Sequence, residues 1–162
     1  MLKILVVDSS SLIALERVQL LDFLEKLNYG IVVPKKVYEE IKINKPYIKV
    51  KELVGKTKNE ARKFQKLNIG SGEAECCALA LSLRLNFIIC DDNKFINKMF
   101  YLNNPKLFNL KILGFSFFLH EFFKNKIIDN IWVNFDKIIK LNNWERSEIQ
   151  VANYTFLKEM GY

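Results

Sequence analysis

Short unbroken apolar runs alternate along this chain with longer stretches of helical spacing. Ile4–Val7 is apolar at every position and ends on Asp8, followed by Ser9, Ser10 and Ser11. An apolar run of this length, without alternation, reads as a parallel strand buried on both faces. The same pattern gives a second strand at 31–33, a third at 86–90 and a fourth at 110–115, with an extended piece within 47–54. Between them the spacing predicts a helix starting at Ser9, another over 20–27, and one opening at Pro34, whose fixed φ suits a first helical turn. Further helices are expected from about Lys58 to Leu67, over 70–85 with Ser71 or Gly72 as cap, over 93–100, and over 116–128. Two more occupy the tail from Asp129 to Tyr162. Strands alternating with helices predict an α/β sandwich around a parallel sheet, and in such sheets the functional site lies beyond the carboxyl ends of the strands.

Composition narrows this picture. The 162 residues contain no glycine- or proline-rich linker, so the expectation is one domain over 1–162, with 129–162 as a C-terminal helical extension. No apolar run reaches the roughly 20 residues of a membrane span, and the chain enters its first strand without a leader pattern. A soluble, cytoplasmic protein without membrane contact is expected. Three cysteines without a CxxC motif and a single histidine, His120, argue against structural zinc and against paired-histidine acid–base work. The cysteines are expected as small buried hydrophobes and His120 as a helix-surface residue. The net charge of +7 is concentrated: between Lys35 and Lys66 stand eleven of the 25 Lys/Arg and four of the 18 Asp/Glu, leaving fourteen of each elsewhere. A concentrated cationic segment suits a polyanion such as nucleic acid, and equally a lysine-rich solvated surface.

The acids carry the chemistry. Asp8 follows the first strand, and Asp91 and Asp92 follow the third, so both points should emerge on one edge of the sheet. Glu40 falls beside the apolar face of its helix at i+3 from Val37, and Glu73 sits in the first turn of the 70–85 helix. Each acid has a local alternative. Asp8, Asp91 and Asp92 suit caps or turns, Glu73 complements a helix dipole, and Glu40 suits a solvated face next to Glu39. Gathered on one edge, they would repel unless a cation or a shared proton compensates. Oxygen ligands without histidine or thiolate suit Mg²⁺ or Mn²⁺, which can activate water against a phosphodiester without any histidine or cysteine. Ser10 then orients Asp8 or contacts a phosphate, or simply caps the helix.

With these pieces in view the chain resembles the PIN-domain family of metal-dependent nucleases. The resemblance rests on VVDSSSLIAL around Asp8, VVPKKVYEEI around Glu40, IGSGEAECCALAL around Glu73 and FIICDDNKF around Asp91 and Asp92, in that order over roughly residues 3–125. The GSGEAE motif is similar to the branch that includes VapC-type toxins. The resemblance implies a three-layer α/β/α sandwich, an acidic cleft for Mg²⁺ or Mn²⁺, and hydrolysis of RNA phosphodiesters by an endoribonuclease. It further implies a homodimer and a small antitoxin partner. Asp8, Glu40 and Glu73 match the first three acids, and Asp91 or Asp92 the fourth. CDDNKF favours Asp92, with Cys90 where a hydroxyl residue is common. All five acids are candidate metal ligands, and Ser10 a candidate second-tier donor.

Lys56, Lys58, Arg62, Lys63 and Lys66 are candidate phosphate contacts, which would add salt-sensitive affinity without sequence information. Tyr47 is a candidate base-stacking residue. A phosphatase using a strand-one Asp would want a second Asp two residues on, where Ser10 stands, and a phosphate-accepting receiver would leave Glu40 and Glu73 without purpose. The remaining alternative is a catalytically inert PIN-like module that binds RNA or protein.

Overall fold

The computed structural model describes residues 3–102 and 104–162. Five parallel strands form its centre: β1 (Lys3–Val6), β2 (Tyr29–Pro34), β3 (Ile48–Lys51), β4 (Phe87–Ile89) and β5 (Lys111–Leu113). β1, β2 and β3 pair in that order, and β4 pairs with β5. A parallel bridge between Val7 and Ile89, with the Asp8 amide donating to the Ile89 carbonyl at 2.8 Å, joins the two groups. The spatial order is therefore β3-β2-β1-β4-β5, and the chain reverses its winding between β1 and β4. That reversal opens a crevice at the carboxyl ends of these two strands.

Among the described residues eight α-helices flank the strands, and the fold is an α/β/α sandwich: α1 (Ser9–Arg17), α2 (Lys35–Ile41), α3 (Gly55–Lys66), α4 (Ser71–Ser82), α5 (Asn93–Tyr101), α6 (Ser116–Lys124), α7 (Ile131–Leu141) and α8 (Glu148–Glu159). α4 packs on β1, β2 and β4, with Ala74, Cys76, Cys77, Ala78, Leu79 and Ala80 all buried. Small residues on that helix let it sit close to the strands. α6 and α7 pack together, α1 lies against α7, and α6 lies against α8. The aromatic half of α6 explains this: Phe118 and Phe122 are fully buried, and Phe122 meets Phe23 edge-on at 5.9 Å. Burying each such side chain is worth about 1.5–3 kcal/mol. Among the described residues no helix is long and apolar enough to cross a membrane.

Several elements differ from the sequence expectation in detail. The 20–27 segment forms a 3₁₀ helix over Leu21–Lys26, and Pro34 ends β2 and caps α2 instead of entering it. Gly70 caps α4, two residues before the alternative Gly72. The extended piece within 47–54 is the edge strand β3. The 116–128 segment stops being helical at Lys124. His120 is half-buried rather than at the surface, its Nδ1 3.0 Å from the Tyr162 hydroxyl. Tyr47 is engaged within the fold, its hydroxyl donating to Asp22 Oδ1 at 2.9 Å and to the Leu21 carbonyl at 3.2 Å.

Candidate active site at the strand crossover

Asp8 leaves β1 at the crevice and caps α1, because an extended Asp followed by a helix start can turn its carboxylate back onto the first amides. Its Oδ2 accepts from the Ser10 amide at 3.2 Å, from the Ser10 hydroxyl at 2.9 Å and from the Cys90 thiol at 3.5 Å. Oδ1 lies 4.0 Å from the Cys76 sulfur and is otherwise turned toward Gly72. Asp8 is therefore a cap and a cleft residue at once, one oxygen for each task. Only 2% of its surface is exposed, and burial raises its pKa despite the donors on Oδ2.

Glu40 arrives from α2. Ser9 donates to its Oε2 at 2.9 Å, which ties α2 to the start of α1. Pro34, at the cap position of α2, has no side-chain acceptor for its first turn, and the Glu75 carboxylate accepts from the Lys36 amide at 3.4 Å instead. Glu75 thus docks α4 against α2, and Glu39 stays exposed on the helix. A Cβ placed on Gly72 would sit 3.5 Å from Asp8 Oδ1 and 3.5 Å from both carboxylate oxygens of Glu40. The two acids, 32 residues apart in sequence, face each other across this glycine.

Glu73 follows in the first turn of α4, its carboxylate folded back over Gly70, where a Cβ would collide with it. Partial burial raises its pKa first, and the negative charges of Asp8, Asp92 and Glu40 raise it further. Glu73 therefore stands within reach of the charges of three acids from three other parts of the chain. Asp92 caps α5, accepting from the Phe95 amide at 2.6 Å.

Asp91 behaves differently from its neighbour. Its Oδ2 accepts from the Ser11 hydroxyl at 2.6 Å and from the Phe115 amide at 2.8 Å, and its Oδ1 from the Asn153 amide at 2.8 Å. Both of its oxygens are thus engaged by donors from the fold, whereas Asp92, beside it, accepts from the start of its own helix. Burial outweighs the three donors and brings its pKa up to about 6.

Among the described residues, no lysine, arginine or histidine forms an ion pair with Asp8, Glu40, Glu73, Asp91 or Asp92. An acidic cluster without a cationic partner, built of hard oxygen donors, fits a divalent ion of the Mg²⁺ or Mn²⁺ type. Among the described residues no group of three or more His, Cys, Asp or Glu side chains is placed to hold a metal ion. An ion that keeps several waters and shares its coordination with phosphate needs fewer protein ligands than that.

The basic candidates Lys56, Lys58, Arg62, Lys63 and Lys66 all lie on the exposed side of α3, which packs on α4. Lys63 is paired with Glu60 at 3.6 Å, and Glu60 also holds Lys106 at 2.7 Å. Sequence reasoning missed Ser9, Ser11, Gly114 and Asn153. A Cβ on Gly114 would collide with both Asp91 and Asn153. The serines were visible in DSSS as capping residues, but nothing in the tail marked Asn153.

A family model described as PIN domain matches residues 4–155. The chain belongs to the PIN domain family. No curated protein and no solved structure matches it. PIN domains are typically nucleases, and usually use divalent metals, so family membership gives this chain a nuclease-type function in general terms. The match runs through α7 and into α8, so it includes most of the helical tail.

Proposed function

We propose that this PIN domain is a Mg²⁺- or Mn²⁺-dependent endoribonuclease whose catalytic residues are Asp8, Glu40, Glu73 and Asp92. The observation that carries the reading is the convergence of Asp8 and Glu40 on Gly72 at the sheet's switch point, beside Glu73 and Asp92, without a basic partner among the described residues. Bound there, the ion would supply water activation and neutralise charge developing on the phosphate. Asp8 Oδ1 and the Glu40 carboxylate would hold it, with Glu73 and Asp92 completing the negative surround. Ser10 and Cys90 fix Asp8 by occupying its other oxygen, and Ser9 fixes Glu40. The exposed cations of α3 would hold the RNA backbone. A toxin paired with a small antitoxin, acting as a homodimer in the cytoplasm, is the biological setting proposed with this activity.

The test is incubation of the purified protein with structured RNAs in Mg²⁺, in Mn²⁺ and in EDTA. Metal-dependent cleavage that disappears in Asp8→Asn supports the reading. RNA binding without cleavage in either metal supports the inert binding module instead.

A further inference from the structure

Asn153 is 2% exposed and lies in α8, far from the acidic motifs in sequence. Its side chain is fully committed. The amide donates to Asp91 Oδ1 at 2.8 Å and to the Ile149 carbonyl at 2.9 Å, while Oδ1 accepts from the Ser116 amide at 2.9 Å. Asp91 passes this restraint on. Its own amide donates to the Ser10 hydroxyl at 2.9 Å, and that hydroxyl donates to Asp8 Oδ2 at 2.9 Å. Asp91 also precedes Asp92 directly. Gly114 leaves room for the Asn153–Asp91 bond, since a side chain there would strike both residues. A further bond from Asn97 to Glu148 ties α5 to the start of α8.

We propose that Asn153 is a positioning residue of the cleft, which sets Asp8 and Asp92 by holding the Asp91 carboxylate from behind. This rests on the nuclease reading of the site. Asp91 forms no ion pair among the described residues, so its geometry depends on neutral donors from three directions: Ser11, Phe115 and Asn153. Ser11 and Phe115 share Oδ2, and among the described residues Asn153 alone holds Oδ1. Loss of that donor leaves a buried carboxylate oxygen unsatisfied, and the carboxylate turns or draws in water. The Asp91 amide and Asp92 are carried with it. The tail helix is then part of the active-site scaffold.

The experiment compares wild type, Asn153→Ala, Asp91→Asn, the double exchange of Asp91→Asn with Asn153→Asp, and Asn142→Ala. Asn142 is a buried asparagine of similar type that bonds Arg17 and the Ile138 carbonyl, away from the acids, and serves as the stability control. Mn²⁺ affinity and RNA cleavage are measured at a temperature where each variant is folded by circular dichroism. Asn153→Ala is expected to lose roughly 10- to 100-fold in Mn²⁺ affinity or kcat, the range seen when supports behind a metal ligand are removed, with KM for RNA within about twofold. Asn142→Ala is expected to lower Tm while leaving Mn²⁺ affinity and kcat unchanged.

The double exchange reverses donor and acceptor. The amide introduced in place of the Asp91 carboxylate keeps an acceptor oxygen for Ser11 and Phe115 and gains an N–H to donate. The carboxylate introduced in place of the Asn153 amide accepts that N–H and still accepts from Ser116. The double exchange is expected to recover most of what Asp91→Asn loses, apart from the bond to Ile149. Asn153→Ala cleaving and binding Mn²⁺ like wild type overturns the inference, as does a double exchange no better than Asp91→Asn. Should Asn153→Ala not fold, the double exchange against Asp91→Asn decides. RNA cleavage by wild type with none of these differences leaves the nuclease reading standing and removes only Asn153. A wild type inert toward both Mn²⁺ and RNA overturns both.

Discussion

Replacing Gly72 by alanine should separate stability from activity in opposite directions. Gly72 is the second residue of α4, is buried, and has a backbone that an L-residue can adopt. The nearest atoms to a new Cβ are carboxylate oxygens of Asp8 and Glu40, all at 3.5 Å, which is ordinary van der Waals contact. No repacking is required. Gly→Ala at such a site gains about 0.4–1 kcal/mol, chiefly by restricting the unfolded chain. Withdrawing some water from two carboxylates opposes that gain. The net effect in EDTA should lie between zero and about 1 kcal/mol of stabilisation, a Tm change of up to roughly 4 °C for a chain of this size.

Function should move the other way. The methyl group occupies the point equidistant from three acidic oxygens of two residues, the space that an ion and its retained waters need. Mn²⁺ affinity and RNA cleavage should each fall at least about tenfold, as when the surround of a metal site is disturbed. Thermal unfolding in EDTA, Mn²⁺ titration and a cleavage time course supply the three readings. Full Mn²⁺ binding and cleavage by Gly72→Ala would show that the reacting centre lies elsewhere. A loss of stability well beyond about 1 kcal/mol would show that the space at Gly72 is not open.

Other outcomes follow from the same geometry. Asp8→Asn should abolish cleavage yet unfold at a higher temperature in EDTA at pH 7, because burial disfavours the Asp8 charge that the variant removes. The apoprotein should lose stability as pH rises from about 3.8 to about 6. In that window the folded state holds a proton on Asp91 that the unfolded state has released, and Asp91→Asn should flatten this part of the profile. Cleavage and Mn²⁺ affinity should instead rise with pH, since Asp8 and Glu73 must be deprotonated to hold a cation and both are raised above the usual carboxylate range. Changing Lys58 and Arg62 together to alanine should weaken RNA binding and reduce its salt dependence by about one log-log unit per lost phosphate contact, with kcat little altered. Unchanged salt dependence would remove α3 from the RNA-binding surface.

What the sequence made legible was whatever local pattern controls. β2 and β4 announce themselves as short apolar runs, because strands buried on both faces have no polar side to display. Asp8 was legible because an acid at the end of such a strand has a fixed place relative to the sheet. Glu40 could be told from Glu39 by its position beside Val37 on the helix, and the Ser9 bond agrees with that geometry. The 3₁₀ character of Leu21–Lys26 was not legible, since apolar spacing over six residues suits either helix type. Asp92 was favoured over Asp91 only through the resemblance carried by CDDNKF, since local periodicity does not separate two adjacent acids. What divides them is contact with Ser11, Phe115 and Asn153, which come from segments 80, 24 and 62 residues away.

The donors that hold the acids share one property. Ser9, Ser10, Ser11, Cys90 and Asn153 are all neutral, and burial keeps the Cys90 thiol protonated so that it donates without adding charge. A lysine or arginine in any of these places would hold a carboxylate more strongly. It would also satisfy that carboxylate permanently, and so compete with the divalent ion proposed for the cleft. Neutral donors fix where the oxygens point while leaving their charge uncompensated. The 25 lysines and arginines of the chain show that cations were at hand for this fold. Among the described residues none pairs with the acids of the cleft, while the surface of α3 is rich in them. That is the charge separation expected of a site that binds a divalent ion in one place and a polyanion's backbone in another.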